Sequence, residues 1–223
     1  MFVTNYSHQS LGLVEEVFSG LPFKKNMIST LQQKSGIDTL AVNRFLNDIK
    51  MHHIGTYLHS LNVARLSAQL ACQLKLSALD VYIISIGALL HDVGKTIISC
   101  NILDKKGRLN NDEWSLVKKH PQQGADIILR YDWGEQLKPM LLLHHERLDG
   151  KGYFCVSAEK IPLAARIVIL TDAYDAMVSP RPYQRKRDIL SCWEEIDSCS
   201  GTQFDSELIP SFYSVIMHNR KLS

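Results

Sequence analysis

The longest apolar stretch of the chain, VYIISIGALL at residues 81–90, runs directly into an ionisable pair, His91-Asp92. The stretch is about half the ~20 residues that a membrane span needs, so it reads as a helix buried in a soluble core. An ionised carboxylate at the end of such a helix needs a partner, because burying an unpaired charge is costly. A divalent cation supplies one, and imidazole nitrogen with carboxylate oxygen suits iron, manganese or zinc. Read alone, His91 fits a hydrogen-bonded core histidine better than a ligand, and the aspartate that follows is what favours a metal.

The rest of the pattern is helical almost throughout. Val63, Leu66, Leu70 and Leu74 recur at helical spacing and mark one apolar face. Asp80 reads as the N-cap of the apolar helix, with a stop near Gly94. Asn110 followed by Glu113 matches a capping box, with Leu109 and Trp114 at the hydrophobic-staple positions. Pro121 and Pro162 suit first helical turns. Only IVIL at residues 167–170 reads as strand or helix, and its flanks are helical. The expected fold is all-α, with residues 1–50 a helical N-terminal extension and residues 51–223 the main domain.

Charge and composition remove several classes. Lys and Arg number 25 against 23 Asp and Glu, a net +2 that is too mild for a surface that coats a nucleic-acid polymer. The opening MFVTNYSHQS lacks the basic region and apolar run of a secretory signal. Five cysteines without a CxxC pair fit reduced thiols. A soluble cytoplasmic protein with no membrane partner is the expectation.

Of nine histidines, His8, His52, His53 and His218 lie in polar or terminal surroundings and read as solvated surface. The others fall in suggestive places. His120 precedes Pro121 at a break between helices, and His144-His145 follows the run MLLL. Asp172 and Asp175, three apart, share a helix face, and Asp172 follows Val168 by four, so it points the way the core points. Singly, each has an ordinary structural explanation. Together, His59, His91, Asp92, His120, His144, His145 and Asp172 exceed what one metal ion takes. Two divalent ions bridged by a carboxylate would use them all, and such a pair, about 3.5–4 Å apart, forms a clamp for phosphoester hydrolysis.

The motifs HDVGK (91–95), HPQQG (120–124), HHERLDGKGYF (144–154) and TDAYDAMVSPRPYQ (171–184) resemble those of HD-GYP domain phosphodiesterases. So do NILDKKGRLNNDEW (101–114) and FDSELIPSF (204–212); the resemblance covers about residues 50–215. It implies an HD-domain helical bundle with a bimetallic site, and hydrolysis of cyclic di-GMP to a linear dinucleotide and on to GMP in bacterial signalling. By motif, His59, His91, Asp92 and Asp172 would hold one metal ion, and His120, His144, His145 and the bridging Asp92 the other. Iron or manganese is implied. Asp92 and Lys95 would be catalytic; Lys95, Gly152, Tyr153, Arg181 and Arg185 would meet the substrate. Regulation would come through a separate partner protein, expression level or the redox state of the metals.

Departures from the family pattern point to alternatives. The third letter of GYP is Phe154, which does not stiffen the loop as proline does. A preference for cyclic GMP-AMP, or a binding module without turnover, therefore stands beside the first reading. A glutamate that supplies a third metal in some members is Gly55 here. Asn62 replaces a usual arginine, and Gln184 stands where a basic residue is common.

Overall fold

A computed structural model describes residues 16–19, 21–23, 25–179 and 188–222. Eleven α-helices lie among them: α1 (Lys25–Ser35), α2 (Thr39–His52), α3 (Ile54–Gln73), α4 (Ala78–Leu90), α5 (Cys100–Leu103), α6 (Asn111–Val117), α7 (His120–Ile128), α8 (Gly134–Leu143), α9 (Leu163–Val178), α10 (Ile189–Ser198) and α11 (Ile209–Leu222). Two 3-10 turns, Val93–Ile97 and Ala158–Lys160, interrupt the series. The one β feature among the described residues is a bridge between Ser200 and Phe204. The all-α expectation holds, and residues 167–170 are helical, inside α9.

The apolar helix α4 forms the axis of the bundle. Nine of its residues are buried, from Val81 to Leu90, on every side of the helix. α3, α8, α2, α1 and α9 pack around it. α3 presents small residues at the packing surface: Ala64, Ser67, Ala68 and Ala71 are buried with Val63 and Leu70. Gly87 of α4 lies against the Met140 side chain of α8, where a Cβ would clash. The glycine thus lets the helix that ends at His144 approach the helix that ends at His91.

α3 and α9 run antiparallel. Ser67 Oγ meets Thr171 Oγ1 at 2.7 Å, and His59, two turns earlier on α3, meets Asp175, one turn later on α9. The buried cluster also includes Ile28, Leu31, Val42, Leu46 and Ile49 from α1 and α2.

Local rules explain most helix ends. Asn110 and Glu113 form the expected capping box at α6. Pro121 lies in the first turn of α7, while Pro162 sits one position earlier than expected, as the N-cap of α9. The start of α4 corrects the sequence reading: Ser77 is the N-cap, its hydroxyl accepting from Asp80 N at 3.1 Å. Asp80 lies three residues inside and accepts from the same hydroxyl, so the Ser-x-x-Asp pattern, not Asp80 alone, starts the helix. α4 also stops at Leu90, before Gly94.

His52 and His53 are likewise not plain surface groups. His53 caps α3, Nδ1 accepting from Thr56 N at 3.0 Å, and its Nε2 lies 3.0 Å from Asp104. His52 Nε2 lies 2.8 Å from Ile98 O. His218 is exposed, and His8 lies outside the described residues. No helix among the described residues is long and apolar enough to cross a membrane.

Candidate metal centre

Three of the histidines close helix ends in the same way. His91 is the C-cap of α4, and its Nδ1 donates to Ala88 O at 2.7 Å. His144 is the C-cap of α8, with Nδ1 2.7 Å from Leu141 O. His120 follows α6, with Nδ1 2.7 Å from Val117 O. The last carbonyls of a helix lack intrahelical partners, and each ring satisfies one of them. The same bond places the proton on Nδ1 and leaves Nε2 bare, the arrangement a metal-ligating histidine needs.

The bare nitrogens converge on Asp92, which is 1% exposed. Its Oδ1 lies 3.2 Å from His120 Nε2 and 3.7 Å from His144 Nε2. Its Oδ2 lies 3.4 Å from His91 Nε2, 3.9 Å from His59 Nε2 and 2.6 Å from Lys95 Nζ. The two oxygens thus face two groups of histidines. Asp172 completes the first group: Oδ1 is 2.8 Å from His59 Nε2 and 3.9 Å from His91 Nε2. Its Oδ2 reaches to 4.0 Å from His145 Nδ1. Three overlapping sets have ligand atoms close enough to share an ion: His59, His91 and Asp172; His91, Asp92 and His144; and His120, His144 and His145.

The electrostatics favour a cation. His91 Nε2 and Asp92 Oδ1 are buried without a hydrogen-bond partner. His120 and His144 point bare nitrogens at each other across 3.0 Å. Lone pairs and carboxylate oxygens packed this closely repel unless positive charge sits among them. Burial and the neighbouring histidines hold the His144 imidazolium far below its ordinary range. Burial takes His145 down to about 3, with Asp172 opposing. Both rings are therefore neutral near pH 7, the state that binds metal. Burial would raise the Asp92 carboxyl, but Lys95 and His91 outweigh it and keep it ionised. Nitrogen and carboxylate donors without a thiolate suit iron, manganese or zinc.

All seven residues singled out as ligands come together. Lys95 lies on Asp92, and its side chain and that of His145 are the more open members of the group. The Tyr153 ring sits 4.6 Å from the His145 ring. Arg181, Arg185 and Gln184 lie outside the described residues. Gly55 is exposed on the first turn of α3, beside the His53 ring.

Two further residues shape the site. Asp175, which the sequence places on the face of Asp172, accepts from His59 Nδ1 at 2.6 Å. Glu146, 1% exposed, accepts from Phe154 N at 2.6 Å and Val156 N at 2.9 Å, which folds the loop back over the histidines. Gly150 takes a φ of +72°, and a Cβ on Gly152 would stand 2.5 Å from Glu146 Cα. The first glycine is needed for its backbone, the second for its lack of a side chain.

The fold and the site together define an all-α protein with a buried histidine–aspartate centre able to hold metal. The chain belongs to the HD-domain family, whose profile matches residues 27–208. It is 37% identical over 163 residues to a cyclic di-GMP phosphodiesterase of Pseudomonas aeruginosa, covering 72% of this chain and 39% of that one. It is 33% identical over 172 residues to a 3′3′-cGAMP-specific phosphodiesterase of Vibrio cholerae, covering 72% and 37% respectively. The chain thus spans about two fifths of the length of these relatives. The HD domain of the Listeria monocytogenes phosphodiesterase PgpH, solved with cyclic di-AMP, shares the fold at a TM-score of 0.62 and 17% identity, covering 79% of this chain and 94% of that domain. The family resemblance carried by the motifs is borne out.

Proposed function

We propose that this chain is the hydrolytic domain of a metal-dependent cyclic dinucleotide phosphodiesterase, acting on cyclic di-GMP. The observation that carries the reading is Asp92, whose two oxygens face His59 and His91 on one side and His120 and His144 on the other. Two divalent ions, iron or manganese, would be held by His59, His91, Asp92 and Asp172, and by Asp92, His120, His144 and His145. They would supply positive charge to the phosphoryl oxygens and acidify water near neutral pH.

The protein's own groups do the rest. Asp92 fixes the spacing of the two halves of the site. Lys95, at the open side, meets a phosphate as a point charge. Burial, with Asp172 and Asp92 nearby, raises the Tyr153 hydroxyl to about 12, so it stays protonated and donates to the substrate. Gly152 lets the loop lie close to Glu146, which aims Tyr153. Arg181 and Arg185 are assigned to substrate contact on the motif resemblance alone. The boundary between a 1–50 extension and the 51–223 domain is part of this proposal; the described helices α1 and α2 share buried side chains with the rest of the bundle. A cytoplasmic setting and a separate regulatory partner accompany this reading.

Phe154 favours one alternative. Its side chain is 42% exposed where the family pattern has proline, so the loop carries an exposed aromatic ring next to Tyr153. That leaves 3′,3′-cyclic GMP-AMP as the competing substrate.

The test is to purify the protein without oxygen, load it with iron or manganese, count metal per chain and follow cleavage of both dinucleotides by chromatography. Asp92→Ala is expected to abolish turnover and reduce bound metal. Half the wild-type rate in that variant would sink the bimetallic reading. Tight binding without turnover in the wild type would make the domain a sensor.

A further inference from the structure

We propose that Trp114 and Lys118, on and just beyond α6, form a base-holding wall of the substrate site: Trp114 stacks on a purine, and Lys118 holds the phosphate that is not cleaved. The proposal rests on the cyclic dinucleotide reading above and extends it to residues that hold no metal.

The two residues stand four apart, so they share one face of the helix. That face meets the loop over the metal centre. The Trp114 ring lies 5.9 Å from the Tyr153 ring in an edge-on arrangement, and Lys118 Nζ lies 5.4 Å from the Tyr153 ring centre. Tyr153 in turn lies 4.6 Å from the ring of His145. One continuous surface therefore runs from a metal-ligand candidate, across the tyrosine, to an aromatic face and an ammonium.

Neither side chain is used up by the fold. Trp114 is 44% exposed, whereas Trp133 and Trp193 are each 6% exposed. Lys118 pairs with no carboxylate among the described residues, unlike Lys105, whose ammonium lies 2.6 Å from Glu113 on the same helix. The capping box at Asn110 and Glu113 fixes where α6 starts, and hence where this face points. A cyclic dinucleotide carries two purines and two phosphates. Placing one phosphate at the metals leaves the other phosphate and the bases to be held elsewhere. Stacking on an exposed aromatic tolerates any purine, and a lysine meets a phosphate as a point charge.

A bland reading is that Trp114 and Lys118 merely buttress Tyr153. Comparing cyclic di-GMP with bis(4-nitrophenyl) phosphate, which has no purine and one phosphate, separates the two. In the metal-loaded enzyme, Trp114→Ala is expected to raise KM for cyclic di-GMP about 5- to 150-fold relative to KM for the small diester, the span of one lost base stack. Trp114→Phe restores most of it. Lys118→Met raises the same KM and flattens its dependence on salt. Equal loss on both substrates, or an unchanged KM ratio, overturns the proposal.

A binding readout keeps this distinct from hydrolysis. Cyclic di-GMP is expected to quench the emission of Trp114 in the wild type, and the quench disappears in Trp114→Phe. A quench without turnover would sink the phosphodiesterase reading and leave the wall standing. Turnover without a quench would sink the wall alone.

Discussion

His59 is held from behind by Asp175, with Nδ1 2.6 Å from Oδ2 across the antiparallel pair α3 and α9. Ser179 Oγ donates to the other oxygen of Asp175 at 2.8 Å, so the carboxylate is itself fixed. The arrangement resembles the carboxylate–histidine pairs that orient metal ligands and raise their basicity. Removing such a support generally costs about 10- to 100-fold in metal affinity or activity. Asp175→Ala is therefore expected to lose metal to a chelator at least tenfold more readily than the wild type, while circular dichroism stays helical. Asp175→Asn, which keeps a hydrogen-bonding oxygen, should lose less. Unchanged metal retention in both would show that His59 needs no support.

In protein stripped of metal, the same histidine lies between two carboxylates. Its Nε2 is 2.8 Å from Asp172 and its Nδ1 2.6 Å from Asp175, which requires a proton on each nitrogen. Burial opposes this charge, but the two hydrogen bonds outweigh it and hold the pKa up at about 9. The unfolded value is about 6.5. A raised folded pKa gives stability that is fully present below about pH 6.5 and is lost as pH climbs through about 9. Stripped wild-type protein should thus lose melting temperature across that window, and His59→Gln should lose less. Metal must displace the Nε2 proton, so loading near pH 7.5 is expected to release one proton from His59. Calorimetric titration in buffers of different ionisation enthalpy measures this, and an absence of proton release would contradict the assignment.

Glu146 and Gly152 act on the loop rather than on the candidate metal ligands. Glu146 binds two backbone N–H groups of the loop, and Gly152 leaves no room for a Cβ against it. Gly152→Ala must push the backbone outward and carry Tyr153 with it. The expected result is a fall in kcat/KM of more than about tenfold with two metals still bound. Glu146→Ala would leave the part-buried N–H groups of Phe154 and Val156 without their carboxylate partner, costing about 1 kcal/mol of stability by chemical denaturation. If Gly152→Ala loses metal instead, the loop supports the ligands, and Tyr153 is not the group displaced.

How much of this could be read in advance depends on the range of the interaction. The seven candidate ligands were legible because each is an unusual residue at a helix end or on a core-facing stripe. Their order also matches one family's motifs. The cap at Ser77 is encoded in Ser77-x-x-Asp80, a pattern in which either side chain has the chemistry of an N-cap and only the hydroxyl occupies that position. Asp175 could be placed on the face of Asp172 from spacing alone. That it supports His59 follows only from the register of α3 against α9, set by contacts such as Ser67 with Thr171, which no local pattern encodes. Glu146 was hidden for a different reason: its partners are backbone amides eight and ten residues on, and backbone groups carry no sequence signal. The contact of His52 with Ile98 and that of His53 with Asp104 likewise depend on residues some fifty positions away, whereas the cap that His53 makes on α3 is local.

Close approach at a glycine gives the last prediction. A Cβ on Gly94 would overlap the carbonyl oxygen of His120 and lie 2.7 Å from Gly124 N. Gly94 belongs to HDVGK and Gly124 to HPQQG, so the contact presses two segments that carry candidate ligands together at their backbones. Neither carbonyl nor amide can rotate away as a side chain would, and overpacking of this kind costs about 1–3 kcal/mol. Gly94→Ala is therefore expected to lower stability by that amount and to move His120 away from Asp92. His120 is the histidine nearest Asp92 Oδ1, at 3.2 Å, so the ion shared with His144 and His145 should be lost first. Metal counting should then give about one ion per chain, with turnover reduced far more than helix content. Gly107→Ala is the control: a Cβ there meets nothing within 4 Å, and its effect on stability and metal content should be small. Equal effects at the two glycines would mean that the Gly94 contact does not position the centre.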